Sequence, residues 1–273
     1  MTCPDWPLCH GKLIPSMSDG TIWEWSHRLF AFSTAPLVAI VAYLAFRLRA
    51  RLPLLRPLVA AVAALFLVQV LLGAATVKLG NSPISVVLHW GTAMAFIASL
   101  VAIAVVTTIP ETAQNESRSV ATAANSVSSV LLATTIAAFV TMCVGAYVSS
   151  SGAGLACLTL PACAGHVLVA QPAQQVQMLH RTFAAIAFVL SVVATIVVFL
   201  REPSRRVRAT AAVGFALLCT QVLLGLMNVA LRLPTDLREA HAANAALLFI
   251  AYCSALSFSL VRGLERPRES SLS

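Results

Sequence analysis

Seven stretches of this chain are each long and apolar enough to cross a bilayer, and that removes most folds at once. They run at about 27–48, 57–78, 84–109, 126–148, 179–200, 207–231 and 241–262. A span needs roughly 20 apolar residues. Within lipid every backbone polar group must bond inside the protein, so only helices or a closed barrel are viable. A barrel would alternate with a period of two, and no such alternation is present. The expected fold is therefore an all-α polytopic membrane protein. Composition agrees: only 10% of the 273 residues are charged, against about a quarter in a soluble domain.

The net charge of +8 reads as a topology signal, not as an affinity for nucleic acid. Arg47, Arg49, Arg51 and Arg56 share one loop region, Arg118 lies in another, Arg201, Arg205, Arg206 and Arg208 in a third, and Arg262, Arg266 and Arg268 in the tail. These segments alternate along the chain and fall on one face, which the positive-inside rule makes cytoplasmic. No cluster is dense enough for a nucleic-acid or anionic-lipid patch. The expected location is the cell membrane, with the C-terminus and the Arg-rich loops inside and the cysteine-bearing loops outside.

The chain also repeats itself. Cys157 and Cys163 follow Cys3 and Cys9 at a constant distance of 154 residues, with Pro7 matched by Pro161 and Gly11 by Gly165. His27-Arg28 recurs as His180-Arg181 after 153 residues, and QVLLG at Gln69–Gly73 recurs at Gln221–Gly225 after 152. His89 is matched by His241, again after 152 residues. The expected organisation is a first half at 1–109, a cytoplasmic linker at 110–125, a second half at 126–262 and a tail at 263–273. The second half shows a helix, a cysteine loop and three more helices, whereas the first shows only three helices. By symmetry an opening helix precedes Cys3. The expectation is an amino-terminally shortened reading of an eight-helix protein, with a genuine seven-helix form as the alternative.

Four of the six histidines pair through the repeat: His27 and His89 in the first half, His180 and His241 in the second. Each sits within about two turns of the outer end of its span. A single histidine there reads as a satisfied interfacial residue. Two matched pairs read as ligands, because ionisable groups within spans are functional by default and facing helices supply both axial positions of a haem. Zinc fits less well, since it usually takes three or four clustered ligands. With all four on one side, the arrangement suits chemistry near the outer surface better than electron conduction across the membrane. Gln69 and Gln221 read as interhelical hydrogen-bonding or packing residues. Cys143, Cys219 and Cys253 read as small apolar residues within helices. Each pair of loop cysteines, Cys3 with Cys9 and Cys157 with Cys163, is expected to form a disulfide, since an oxidising exterior permits one. Free thiols or zinc are the alternatives.

Taken together, CPDWPLCHG, EWSHR (Glu24–Arg28), QVLLGAATVKLG (Gln69–Gly80), LHW (Leu88–Trp90), the SSSGAGLAC run, LHR (Leu179–Arg181) and EAHAANA (Glu239–Ala245) resemble the haem A synthase family over essentially the whole chain. The resemblance implies eight helices in two similar halves. It implies oxidation of the carbon-8 methyl of haem O to a formyl group, giving haem A for terminal oxidases. It implies a resident haem b on His180 and His241, with His27 and His89 flanking or ligating haem O. Glu24 matches an acidic residue that the family places before its first histidine. The implied partners are haem O, the enzyme that makes it, an oxidase that receives haem A, the lipid bilayer and further copies of the chain. The competing reading is a b-type membrane protein that carries electrons or delivers haem during oxidase assembly.

The repeat bears on that division by itself. The position matching Glu24 is Gln177, so only one half carries the acid, and all four Trp lie in the first half. A half that releases its macrocycle and handles protons should differ from one that only holds a macrocycle. Glu24 is read either as a proton-handling group or as an acid favoured by the helix dipole.

Overall fold

The computed structural model describes residues 3–16, 21–50, 52–108 and 126–265. Arg51, Arg118, Arg266, Arg268 and the expected linker lie outside the described residues. Among the described residues seven helices are long and apolar enough to cross a membrane: α1 Thr21–Leu48, α2 Leu55–Lys78, α3 Pro83–Val106, α4 Ser126–Ser150, α5 Pro172–Arg201, α6 Arg205–Ala230 and α7 Thr235–Glu265. A short 3-10 turn, Ala153–Leu155, follows α4. No strand occurs among the described residues, so the all-α membrane fold is borne out.

The helices begin earlier than the apolar runs suggest. α1 starts at Thr21, α5 at Pro172 and α7 at Thr235. The added turns carry polar residues such as Glu24, Gln177 and Asp236. Hydropathy marks where a helix meets lipid, not where its hydrogen-bond ladder starts. Pro83 and Pro172 open α3 and α5, where a missing N–H costs nothing.

The repeat is visible in backbone detail. At the end of α2 the Asn81 N–H donates to Thr76 O at 2.9 Å, and at the end of α6 the Leu233 N–H donates to Asn228 O at 2.8 Å. Both turns use a positive φ, 58° at Asn81 and 60° at Leu233. In the second half α4 packs on α5, α5 on α6, α6 on α7 and α7 back on α4, closing a four-helix ring. In the first half α1 packs on α2 and α2 on α3, while α3 lies against α4 and α7. The seam between halves is built from Met94, Ala138, Met142, Ala245 and Phe249. Small residues let these backbones approach, since apolar side chains gain nothing by leaving lipid for each other. Phe30, Phe32, Leu67, Leu71 and Leu200 are exposed; on a membrane protein such residues face acyl chains.

Chain alternation brings the two cysteine loops and the α2–α3 and α6–α7 turns to one end. Arg47, Arg49, Arg56, Arg201, Arg205, Arg206 and Arg208 fall at the other end.

Candidate functional site

The cysteine loops are latched onto the helices below them. Disulfides join Cys3 to Cys9 and Cys157 to Cys163. Each loop then closes in a two-residue turn. Cys9 and Lys12 exchange both backbone hydrogen bonds at 3.1 Å, and Cys163 and His166 do so at 3.0 Å. The central residues have positive φ, 52° and 69° at His10 and Gly11, 50° and 84° at Ala164 and Gly165. That is the backbone of a type I′ turn, which explains the matched glycines. In the first loop the Asp5 carboxylate accepts from the N–H groups of His10 and Gly11, each at 2.7 Å. These bonds, Gly11's above all, hold the Asp5 carboxyl below the usual carboxylate range. In the second loop Thr159 Oγ1 takes the N–H of Ala164 at 2.6 Å. His10 and His166 are therefore turn residues, exposed and apart from the paired histidines.

Each loop is clamped by the arginine that follows a paired histidine. Arg28 Nη1 donates to the carbonyls of Asp5, at 2.5 Å, and Leu8, while Nη2 donates to Cys3 O at 2.9 Å. Arg181 donates to the carbonyls of Thr159 at 2.7 Å, Pro161 at 3.0 Å and Cys157 at 2.7 Å. A planar fork with five donors suits this capture of several carbonyls. Glu24 adds a second pin: its carboxylate accepts from the Cys3 N–H at 3.1 Å and pairs with Arg28 at 2.9 Å. Gln177 takes the same position in the second half. Its Oε1 accepts from the Cys157 N–H at 2.5 Å and its Nε2 donates to Gly154 O at 2.8 Å. In the sequence these arginines are marked only by their recurrence in both His-Arg pairs.

The four histidines lie beneath these loops. His27 of α1 and His89 of α3 face each other with ring centroids 6.3 Å apart. His180 of α5 and His241 of α7 occupy the matching positions in the second half. Three of the rings rest on a glycine of a neighbouring helix. A Cβ at Gly73 would stand 3.2 Å from His89 Cε1, one at Gly225 3.3 Å from His241 Cε1, and one at Gly145 2.9 Å from His180 Cε1. Gln69 places its amide nitrogen 3.3 Å from His89 Nε2, and Gln221 does so 3.1 Å from His241 Nε2. His180 Nδ1 lies 3.2 Å from Thr141 O; donation there leaves Nε2 as the basic nitrogen. Glycine cradles and the Thr141 carbonyl were invisible to sequence reading, although Gly73 and Gly225 close the repeated QVLLG string.

These residues fit a haem. His89 Nδ1 and His241 Nδ1 are buried without hydrogen-bond partners, at repeat-equivalent positions, so the interior around each ring is built for more than protein contacts. The His27 and His89 rings lie 6.3 Å apart, centroid to centroid, at an interplanar angle of 77°, near enough to serve one bound group. Among the described residues no three His, Cys, Asp or Glu side chains converge as a zinc cage would require. A macrocycle that brings its own four nitrogens needs only the axial pair.

Fold and site together define a polytopic membrane protein with two repeat-related histidine pairs, each under a disulfide loop. Residues 1–253 match the COX15-CtaA family of cytochrome oxidase assembly proteins, and the chain belongs to that family. Relatives named Heme A synthase include that of Bacillus pumilus (strain SAFR-032), 29% identical over 91% of this chain and 82% of its own length. That of Shouchella clausii (strain KSM-K16) is 31% identical over 91% of this chain and 83% of its own. That of Bacillus licheniformis is 27% identical over 91% and 82%.

Proposed function

We propose that this chain is a haem A synthase, an oxidoreductase that converts the carbon-8 methyl of haem O into a formyl group. The observation that carries this reading is the duplicated site: two histidine pairs on facing helices, cradled by glycine and capped by latched loops, in a member of this family. His180 and His241 hold a resident haem b, which when bound supplies a redox-active iron. His27 and His89 flank the substrate haem O. The half up to residue 109 is the substrate half, and 126–262 is the haem b half.

The protein's own residues orient, cover and exclude. The Thr141 carbonyl fixes the His180 ring. Gly73, Gly145 and Gly225 give the rings room to lie against backbone. Arg28 and Glu24 seat the first loop over the substrate side, and the disulfide keeps that loop in one shape. Glu24 also takes or delivers a proton near His27 during methyl oxidation; its carboxylate lies one helical turn before that histidine, on the same face. Cysteine loops lie outside and Arg-rich ends in the cytoplasm. Partners are the haem O-producing enzyme and the oxidase that receives haem A.

The test is expression in a cell that makes haem O but lacks haem A synthase, with extracted haems separated and weighed by mass spectrometry. Haem A, with hydroxylated precursors, is the expected product. Protein that binds haem yet leaves haem O unchanged would move the reading to a haem carrier.

A further inference from the structure

The two cysteine loops differ at their polar positions and agree at exposed apolar ones. Asp5 stands where the second loop has Thr159, His10 where it has Ala164, and Lys12 where it has His166. Three positions stay apolar in both loops: Trp6 with Leu160, Leu13 with Val167 and Ile14 with Leu168, the members of each pair 154 residues apart. None of them is covered by the protein. Leu13 and Ile14 are 80% and 72% exposed, Val167 and Leu168 64% and 93%. Leu13 and Leu168 are thus more exposed than Leu200, which faces acyl chains. Apolar surface of this kind, repeated at matching places, marks a contact with something other than water.

The arginine latches set the depth of the loops. No charged residue lies between Arg28 and Arg47 of α1, or between Arg181 and Arg201 of α5. Each interval is about 20 residues, the length that crosses the hydrocarbon of a bilayer. Arg28 and Arg181 therefore mark the hydrocarbon boundary at the loop end. The carbonyls they hold, of Asp5 and Leu8 in one loop and of Thr159 and Pro161 in the other, lie at or just above that boundary. Trp25 Nε1 donates to Leu13 O at 2.7 Å, which keeps the first apolar pair within a turn of Arg28, level with exposed Ile22 and Trp23. Tryptophan at this level suits the headgroup region. Gln175 Nε2 donates to Val169 O at 3.1 Å and keeps the second pair within two turns of Arg181. A loop held at this depth meets headgroups and the tops of acyl chains before it meets water.

We infer that Trp6, Leu13 and Ile14 in the first loop, and Leu160, Val167 and Leu168 in the second, seat both loops in the bilayer leaflet on their side, so that the partner of this surface is lipid. The lipid-facing surface of the helices continues into the loops. Exposed Lys12 and His166 put a polar group beside each apolar pair, as an interface wet on one side requires. Each loop is fastened twice, by an arginine to its helix and by apolar side chains to the membrane. This seating is independent of what the histidine pairs bind.

The test places the photoreactive residue p-benzoylphenylalanine at Leu13, Leu168, Leu200 or Asp236 of the full chain, one site at a time. Leu200 is the lipid-facing reference. Asp236 is the polar one, exposed in the first turn of α7 at the same end as the loops. Each purified protein is reconstituted into vesicles of phosphatidylcholine and phosphatidylglycerol, irradiated, digested and weighed by mass spectrometry. Phospholipid adducts should form at Leu13 and Leu168 in yields comparable with Leu200 and be lost at Asp236. The unsubstituted chain, irradiated in vesicles holding a phospholipid with a diazirine near the top of its acyl chain, should carry label on the peptides with Leu13 and Ile14 and with Val167 and Leu168; this reading needs no variant to fold. Lipid adducts at Leu200 but at neither loop overturn the inference. Adducts at one loop alone overturn it as a property of the repeat. Cross-links between two chains in place of lipid adducts overturn it and give the surface to a second copy.

Discussion

Glu24 accepts a hydrogen bond from the Cys3 N–H at 3.1 Å, so the acid nearest His27 is also a pin of the loop above it. Gln177 does the same work for Cys157 with an amide oxygen. The second half is thus an internal control for what the first needs from a charge.

Glu24→Gln should keep the loop pinned and still lose turnover. The amide oxygen can accept from Cys3, as Gln177 shows for Cys157, while general acid–base catalysis, worth about 10²–10⁴-fold, disappears. Glu24→Ala should lose both. Hydrogen exchange across residues 3–12, read beside haem A formation, separates the two effects. Full turnover in Glu24→Gln would reduce Glu24 to a pin.

Removing one paired histidine from each half should have unequal effects. His180→Ala should abolish the resident haem spectrum. His27→Ala should leave that spectrum in place and stop conversion of haem O. Absorption spectra of the two purified variants decide the matter, and equal loss of resident haem from both would end the division of labour between halves.

Gly145→Ala should damage the second site most among the glycine variants. Its new Cβ would sit 2.9 Å from His180 Cε1, closer than the 3.2 Å and 3.3 Å found at Gly73 and Gly225. Because the ring is tied to Thr141 O, it cannot retreat without losing that bond. Overpacking costs typically 1–3 kcal/mol, enough to lower haem occupancy by about tenfold. Titration of each variant with haem should rank Gly145→Ala below Gly225→Ala.

Acid should loosen the first loop and spare the second. The folded-state pKa of Asp5 is depressed by the Gly11 and His10 N–H bonds. Its contribution is therefore present above the ordinary carboxylate range and is lost as pH falls through the lowered value. Thr159, which fills the matching place, does not titrate. Exchange protection at His10 and Gly11, compared with Ala164 and Gly165 over the same pH series, should fall only in the first loop. Asp5→Thr should abolish the difference.

Much of this was legible in the sequence because lipid leaves a chain few options. Seven apolar runs with no alternation already meant helices, and the repeat singled out His27, His89, His180 and His241 from the other two histidines. What stayed hidden depends on main-chain groups or on neighbours from another helix. Arg28 and Arg181 bind carbonyls, which no sequence displays. Gly145 lies in a helix with no glycine-rich motif, and only the approach of His180 from α5 gives it a purpose. The early starts of α1 and α5 escaped for a related reason: their first turns are held by polar bonds to the loops and not by hydropathy.

The arginine latches also bear on how the halves of a duplicated protein drift apart. Arg28 and Arg181 grip their loops through main-chain oxygens, so they demand a shape and are indifferent to side chains. Once an ancestral unit was copied, mutation was free to turn one lid into Asp5, Trp6 and His10 and the other into Thr159, Leu160 and Ala164 without unseating either. A fastening of this kind lets the side chains of a loop diverge while its attachment stays the same.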